Sequence, residues 1–369
     1  MQVRYLSQEE KERSRSLWEE CFPEDSARFL DYYYREKCRD NRILVLEEEP
    51  GGRILSMVHQ NPYLVRMPGG EYSLDYLVGV ATAEDRRHRG YMRTLLKAVM
   101  QEENRRQMPF SFLMPANPRI YEPFDFVYVF DQPCWQWNEA GGRLHRETAP
   151  VDMLLKGQGP GRMQEDFAQL GLWLDRWLAE RYQIYALRTE AYMERMWKEL
   201  VSEQGKLSLA YDRQASGQRL VGMEAFWGGE DEERRFLYGE TDFVEVTQPP
   251  KPAIMARIVN LEEFMKGIGL REGGRKSISI VLGIRDEMLE ENCGVFQWDI
   301  CGDGSRIKRI RGLLEGETEV PIVTIGALTR WLLGGGTVPD RPSAMSAWPL
   351  DFPWDDIAAL GGIFLDEVV

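Results

Sequence analysis

The 369-residue sequence predicts an α/β (α+β) protein built of three modules, and three observations carry that prediction. The length exceeds what one hydrophobic core serves, since domains run to ~100 to 150 residues. Helical and strand periods alternate along the chain. A second series of helices and strands then repeats the order of the first without its residues, and closes on the stiff run Pro249, Pro250 and Pro252. The module boundaries are placed at 1–137, 138–252 and 253–369.

The elements follow in order. Ser7 stands three residues before Glu10, the reciprocal spacing that satisfies free amides at a helix start, so a helix is expected over 7–21. A second helix is expected over about 26–37, where Phe29, Leu30 and Tyr33 share a face. The runs RILVLEE, RILSMVHQ, PYLVRM and YSLDYLVGVAT then read as strands, punctuated by Gly51-Gly52 and Pro68-Gly69-Gly70. Met92, Leu95, Leu96 and Val99 recur at helical spacing and place EDRRHRGYM, residues 84–92, at a strand-to-helix junction. FSFLMPA is a strand, Pro118 to Phe124 a short turn or helix, and FVYVFDQPCWQW a strand pair.

In the second module, helices are expected in QEDFAQLGLWLDRWLAE and TEAYMERMWKEL, and strands in KLSLAYD, RLVGMEAFW and RRFLYGETDFV. The third module opens with the strand AIMARIV and a helix capped at Asn260. Strands near 276–284, 294–301 and 305–311 follow, then a helix over about 324–333 capped by Thr324.

Composition narrows the function. With 60 Asp+Glu against 46 Lys+Arg and a formal charge of -14, the chain is a poor match for nucleic acid or an anionic membrane and is better suited to cationic substrates. Ser7 to Ser16 is polar, and no apolar run approaches the ~20 residues that span a bilayer, so a soluble cytoplasmic protein is expected. Five scattered cysteines without close pairs and three histidines without an HExxH pattern argue against a metal site or a Ser-His-Asp triad.

The basic island is the exception. Residues 84–106 hold seven Lys+Arg against four Asp+Glu. A strand feeding a helix N-terminus makes an anion site from unpaired amides and the helix dipole, and Gly90 lets the backbone approach closely while Arg87, Arg89 and Arg93 add charge. A pyrophosphate fits that size. The plainer reading is a solvated face of surface ion pairs, each contributing ~0 to 1 kcal/mol. Neither GxxxxGK[ST] nor a GxGxxG after a strand is present, which removes the P-loop and dinucleotide readings.

Arg87-His88-Arg89-Gly90-Tyr91-Met92 resembles the pyrophosphate motif [R/Q]-x-x-G-x-[G/A] of the GNAT superfamily of N-acetyltransferases, with Met92 in place of the final small residue. That departure is similar to the Eis-like (enhanced intracellular survival) branch. RIYEPFDF resembles the IY-x-x-F-G-[YF] segment of that branch, with Asp125 at its glycine, and the terminal IFLDEVV is similar to its C-terminal segment. The resemblance implies tandem GNAT folds, mixed and mostly antiparallel sheets with flanking helices, followed by a sterol-carrier-protein-like domain.

It implies acetyl-CoA as cosubstrate with no metal, and an amine acceptor such as an aminoglycoside, a polyamine or a lysine side chain. Val80, Ala81 and Thr82 would bond the pantetheine arm, and His88, Arg87, Arg89, Gly90, Tyr91, Met92 and Arg93 would hold the pyrophosphate. Asn117 would sit beside the cofactor arm. Tyr121 would be the general acid for the departing thiolate and the α-carboxylate of Val369 the general base, with Asp366 and Glu367 adding negative potential at the mouth. A homo-oligomer, a hexamer, is also implied. The competing reading is a non-catalytic protein that senses acyl-CoA or binds an apolar ligand through its C-terminal domain, for which Met92 and Asp125 speak.

Overall fold

Glu10 reaches back to accept from the Ser7 amide at 3.0 Å, the cap that the spacing of the two residues predicts. The helical run divides into a 3-10 segment, Gln8–Ser14, and helix α1, Arg15–Cys21. Helix α2, Ala27–Glu36, is capped by Ser26 and buries Phe29, Leu30, Tyr32 and Tyr33. The computed structural model describes residues 1–213, 217–228, 233–302, 304–314, 316, 320–334, 353 and 356–367.

Strands β1 (Gln2–Tyr5), β2 (Arg42–Glu47), β3 (Ile54–Met67) and β4 (Gly70–Thr82) form an antiparallel run. RILSMVHQ and PYLVRM prove to be one strand, β3. Pairing of β3 with β2 ends at Gln60, so the edge beside Pro62 is open and the missing proline N–H is tolerated. Helix α3, Tyr91–Arg105, crosses over to β5 (Phe110–Leu113), which lies parallel to β4. FVYVFDQPCWQW is a single strand, β6 (Val127–Trp137), whose partner comes from far along the chain.

The intervening residues supply β7 (Leu144–Pro150), α4 (Val151–Leu155), α5 (Gly161–Phe167), α6 (Leu170–Ala179), β8 (Ile184–Ala186) and α7 (Glu190–Ser202). Then come β9 (Lys206–Asp212), β10 (Arg219–Phe226) and β11 (Arg234–Gly239), which make a second sheet in the order β11-β10-β9-β7. The long strand β12, Val244–Ile258, leaves that module and inserts between β5 and β6, so the first sheet runs β1-β2-β3-β4-β5-β12-β6. The three prolines expected to stop the chain lie inside β12. Register shifts at Gln248, Lys251 and Ile254 absorb their missing donors.

Past β12, Asn260 accepts from the Glu263 amide and caps α8, Leu261–Met265. Strands β13 (Gly269–Leu270), β14 (Ser277–Arg285), β15 (Gly294–Cys301), β16 (Gly304–Arg311) and β17 (Ile322–Thr324) precede α9, Ile325–Leu333, capped by Thr324 as its sequence predicts. The chain then adds β18 (Ile357–Ala358) to β13 and β19 (Ile363–Phe364) to β8, itself paired with β3, so the tail is stitched to the first sheet. Among the described residues no helix is long and apolar enough to cross a membrane.

A polar layer is sealed beneath α1 and α2. The His59 ring is fully buried, its Nδ1 3.2 Å from the Tyr33 hydroxyl and its edge against Trp18. Burial, reinforced by the charge of Lys11, pushes its pKa down to about 3. An unfolded histidine titrates near ~6.5, so in this window the unfolded chain binds a proton that the folded chain refuses. The contribution of His59 is therefore complete above pH ~6.5 and is lost as pH falls toward 3, at up to ~1.4 kcal/mol per pH unit. Denaturant titrations between pH 7 and 4 are expected to show a shallower loss for His59→Phe than for the parent. Equal slopes would assign the acid sensitivity to other groups.

Candidate active site

The site grows from the place where β4 and β5 part. Their parallel pairing is confined to Tyr76↔Phe112 and Leu77↔Leu113. Beyond it β4 continues to Thr82 with β3 on one edge and, among the described residues, no strand on the other, so backbone groups of residues 78–82 are left for a ligand. A β-bulge falls within this stretch, because Met57 and His59 pair with Ala81 and Val78. Gly79 makes the bulge possible, with φ at 56° and its α-carbon so close to the indole of Trp18 that a Cβ would stand 2.5 Å from the ring.

The resulting groove has a volume of about 750 Å³. Val80, Ala81 and Thr82 form one wall, Arg87 through Arg93 the next, and Met114, Pro115, Ala116, Ile120, Tyr121 and Phe124 the opposite side. Trp18, Cys21, Phe22, Glu24 and Asp25 close the end under α1 and α2. Nothing in the local sequence around these five residues marks them as belonging to a site; Trp18 reads as core, and it is core on one face.

At the junction, His88 (φ 63°) and Gly90 (φ 78°) both take the left-handed conformation, and Gly90 caps α3 without a side chain. Alternation of this kind makes successive amides converge, and the first-turn amides of α3 have no partner within the helix. The arginines divide by role. Arg86 pairs with Asp85 and Glu48, which is the surface ion-pair reading. Arg87, Arg89 and Arg93 make no ion pair among the described residues: Arg87 donates to the Thr82 carbonyl and Arg93 lies over the Phe124 ring at 5.7 Å. Three exposed guanidiniums held at a helix N-terminus without a carboxylate favour an external anion.

Tyr121 sits between two 3-10 turns, Pro118–Ile120 and Glu122–Phe124, with its ring edge-on to Phe126. Only 8% of it is exposed, and burial pushes its phenol up to about 12. The proton is thus retained throughout the neutral range. Asp125 holds the turn with φ at 62°, in the left-handed region that aspartate enters more readily than most residues. Its carboxylate accepts from the Gly326 amide in the first turn of α9, which ties the Tyr121 loop to the third module.

Asn117 is drawn out of the constellation. Its side chain accepts from the Arg119 amide at 3.1 Å and caps the Pro118–Ile120 turn, while its neighbours Ala116 and Ile120 line the groove. Val369 lies outside the described residues. The tail that leads to it is docked: Phe364 and Leu365 are buried, as their apolar character predicts. Asp366 and Glu367 are buried as well and are gripped by Arg188, so both carboxylates are turned inward. The carboxylates that face the groove are instead Glu24 and Asp25, the latter accepting from Trp18 Nε1 at 2.7 Å.

Residues 2–129 match the family model described as "Acetyltransferase (GNAT) domain". No curated protein sequence matches the chain. Among solved structures, a GCN5-related N-acetyltransferase from Kribbella flavida superposes with a TM-score of 0.64 at 12% identity, covering 100% of this chain and 98% of its own. Eis1 from Mycobacterium abscessus gives 0.64 at 12% identity over 100% of both chains. A GCN5-related N-acetyltransferase from Anabaena variabilis gives 0.62 at 15% identity over 90% of each. At these identities the likeness is one of fold, and in two of the three it extends over the whole length of the chain. The match over residues 2–129 marks an enzyme of the acetyltransferase class.

Proposed function

We propose that the protein transfers an acetyl group from acetyl-CoA to a primary amine on a cationic small molecule, of aminoglycoside or polyamine type, or on a lysine side chain, by direct attack in a ternary complex. The observation that carries this reading is the conjunction, in one groove, of a β4 edge without a strand partner, three guanidiniums without an ion pair among the described residues at a helix start, and a buried protonated phenol. The residues fit the cosubstrate. A Cβ on Gly90 would meet nothing within 4 Å, so the turn is open to a pyrophosphate, and the groove runs from there past Val80 to Tyr121.

Val80, Ala81 and Thr82 bond the pantetheine arm, and an amide freed by the bulge polarises the thioester carbonyl as a fixed donor. Arg87, Arg89 and Arg93, with the amides of His88, Gly90, Tyr91 and Met92, bind the pyrophosphate. Tyr121 gives its proton to the leaving sulfur. Glu24 and Asp25 draw the ammonium in, and the α-carboxylate of Val369 serves as base. A free α-carboxyl titrates near ~3.5, so that role requires the chain end to be enclosed. Residues 1–137 form the catalytic module, 138–252 a degenerate companion of the same fold and 253–369 a sterol-carrier-like module that delivers the tail. The enzyme works in the cytoplasm as a homo-oligomer, a hexamer by resemblance.

Release of free CoA thiol across an amine panel tests the activity. Binding of CoA without turnover of any amine would leave a sensor rather than an enzyme. Arg89→Ala is expected to raise the KM for acetyl-CoA about tenfold, the worth of one charge-assisted hydrogen bond, with the amine KM unchanged. The reverse pattern would remove the pyrophosphate role from the arginine turn.

A further inference from the structure

We infer that a second cavity, shared between the first sheet and the second module, receives the body of the acceptor, and that it selects a primary amine carrying a flat aromatic group over a polyamine. The inference rests on reading the groove as the place of acetyl transfer. It begins with the length of β5. That strand has only four residues, Phe110–Leu113, and both of its neighbours run past its end. Strand β4 continues from Leu77 to Thr82. Strand β12, which meets Leu113 through Met255, extends the same way through residues 244–254 with no strand on that edge among the described residues. The sheet therefore carries a notch, with β4 on one side and β12 on the other.

Met114, the first residue beyond β5, stands in the notch and is 46% exposed. It lines the reaction groove and also the second cavity, whose volume of about 450 Å³ suits a small ligand. The point of contact matters. Leu113 pairs with Leu77, so Met114 lies level with the bulge at Val78 and Gly79, whereas the arginine turn begins only after Thr82. The second cavity thus meets the groove at its thioester end, and what enters from it is the acceptor rather than the cosubstrate.

Its walls give the chemistry. Trp135 of β6, Trp227 after β10 and Phe236 of β11 present aromatic surface, and Ala253 and Ile254 of β12 add apolar surface. Trp135 and Trp227 are half-buried, so neither is spent wholly on the core. The charges at the cavity are engaged elsewhere. Arg234 pairs with Glu224 at 2.6 Å and donates to the Trp135 carbonyl, and Arg235 pairs with Glu199 at 3.4 Å. Asp366 is held by Arg188 and Tyr238, and Glu233 is exposed, where solvent screens it. A second ammonium gains little here, because the Arg235 guanidinium already lies over a face of Trp227 at 5.7 Å. A flat ring gains both from burial and from stacking.

Isothermal titration of the CoA-saturated protein with tryptamine, butylamine and spermidine tests this. The first two carry one ammonium each, so the difference between them reports the ring alone. Tryptamine is expected to bind about tenfold or more tighter than butylamine, and tighter than spermidine. Trp227→Ala is expected to lower tryptamine affinity about tenfold with butylamine and CoA unaffected, and Trp227→Phe, which keeps a ring, to restore part of the loss. Gln248→Trp fills the cavity from an exposed position of β12 and so disturbs no core; tryptamine binding is expected to be lost there as well. Equal affinities for tryptamine and butylamine in the parent, or a tryptamine margin untouched by both Trp227→Ala and Gln248→Trp, would overturn the inference. Spermidine binding more tightly than tryptamine would overturn it too. Release of CoA thiol from acetyl-CoA separates the two ideas: tryptamine that binds through Trp227 without being acetylated removes the transfer reading and leaves the cavity its ligand. Acetylation of amines without regard to Trp227 removes the role of the cavity alone.

Discussion

Tyr121→Phe is expected to lower kcat by about 10²- to 10⁴-fold, the range that a positioned proton donor contributes, while the KM for acetyl-CoA stays within a few fold. The substitution keeps the ring that packs on Phe126 and removes only the hydroxyl, so a loss of fold is not expected. The phenol is held up to about 12 by burial, so the acid form persists across any practical assay range. The sign follows directly: Tyr121 causes no alkaline fall in rate below about pH 11, and the rising limb belongs to deprotonation of the amine and its base. An alkaline limb near pH 8 or 9 that vanished in Tyr121→Phe would show a phenol far more acidic than its burial allows. Parental kcat in the variant would pass the proton to solvent.

Gly79→Ala is expected to have the second large effect, through two separate strains. The residue would hold φ at 56°, a conformation that costs a non-glycine residue about 1 to 2 kcal/mol. Its Cβ would also stand 2.5 Å from the Trp18 indole, an overlap that must be relieved by shifting either the bulge or α1. Together these predict a loss of about 2 to 4 kcal/mol of stability. Because the amide proposed to act on the thioester lies on this bulge, kcat is expected to fall with it by about 10²-fold. Combining Gly79→Ala with Trp18→Leu relieves the overlap but not the backbone strain. Thermal melts are expected to show partial recovery and kinetics little. Full recovery of kcat in the double variant would mean that the bulge carries no catalytic amide.

What was legible beforehand was local. Ser7 with Glu10, Asn260 and Thr324 each announce a helix start because the cap and the amide it satisfies lie within three residues of each other. The arginine turn is legible for the same reason, since the anion site is made from contiguous backbone. Asp125 could be expected to tolerate its left-handed turn from the chemistry of its side chain alone.

What was not legible depended on distance along the chain. Nothing in FVYVFDQPCWQW says that its partner is β12 rather than its own second half, because strand periodicity does not name a partner. Asp366 and Glu367 read as acidic residues that would charge the mouth, and Arg188, Tyr192 and Tyr238, all remote in sequence, hold them inward. Trp18 looks like core and is core. That its other face abuts Gly79 and the groove is a fact of packing between α1 and β4 that no short window contains.

The insertion of β12 between β5 and β6 also sets a schedule for synthesis. Residues 1–137 leave the ribosome with the edges of β5 and β6 still unpaired, and the second module must fold in the meantime. Only when residues 244–258 have emerged can the first sheet close, and the facing edges of β5 and β6 are exposed until then. A nascent chain stalled at 137 should therefore be sticky and protease-sensitive, whereas one released beyond Ile258 should resist digestion across its first sheet.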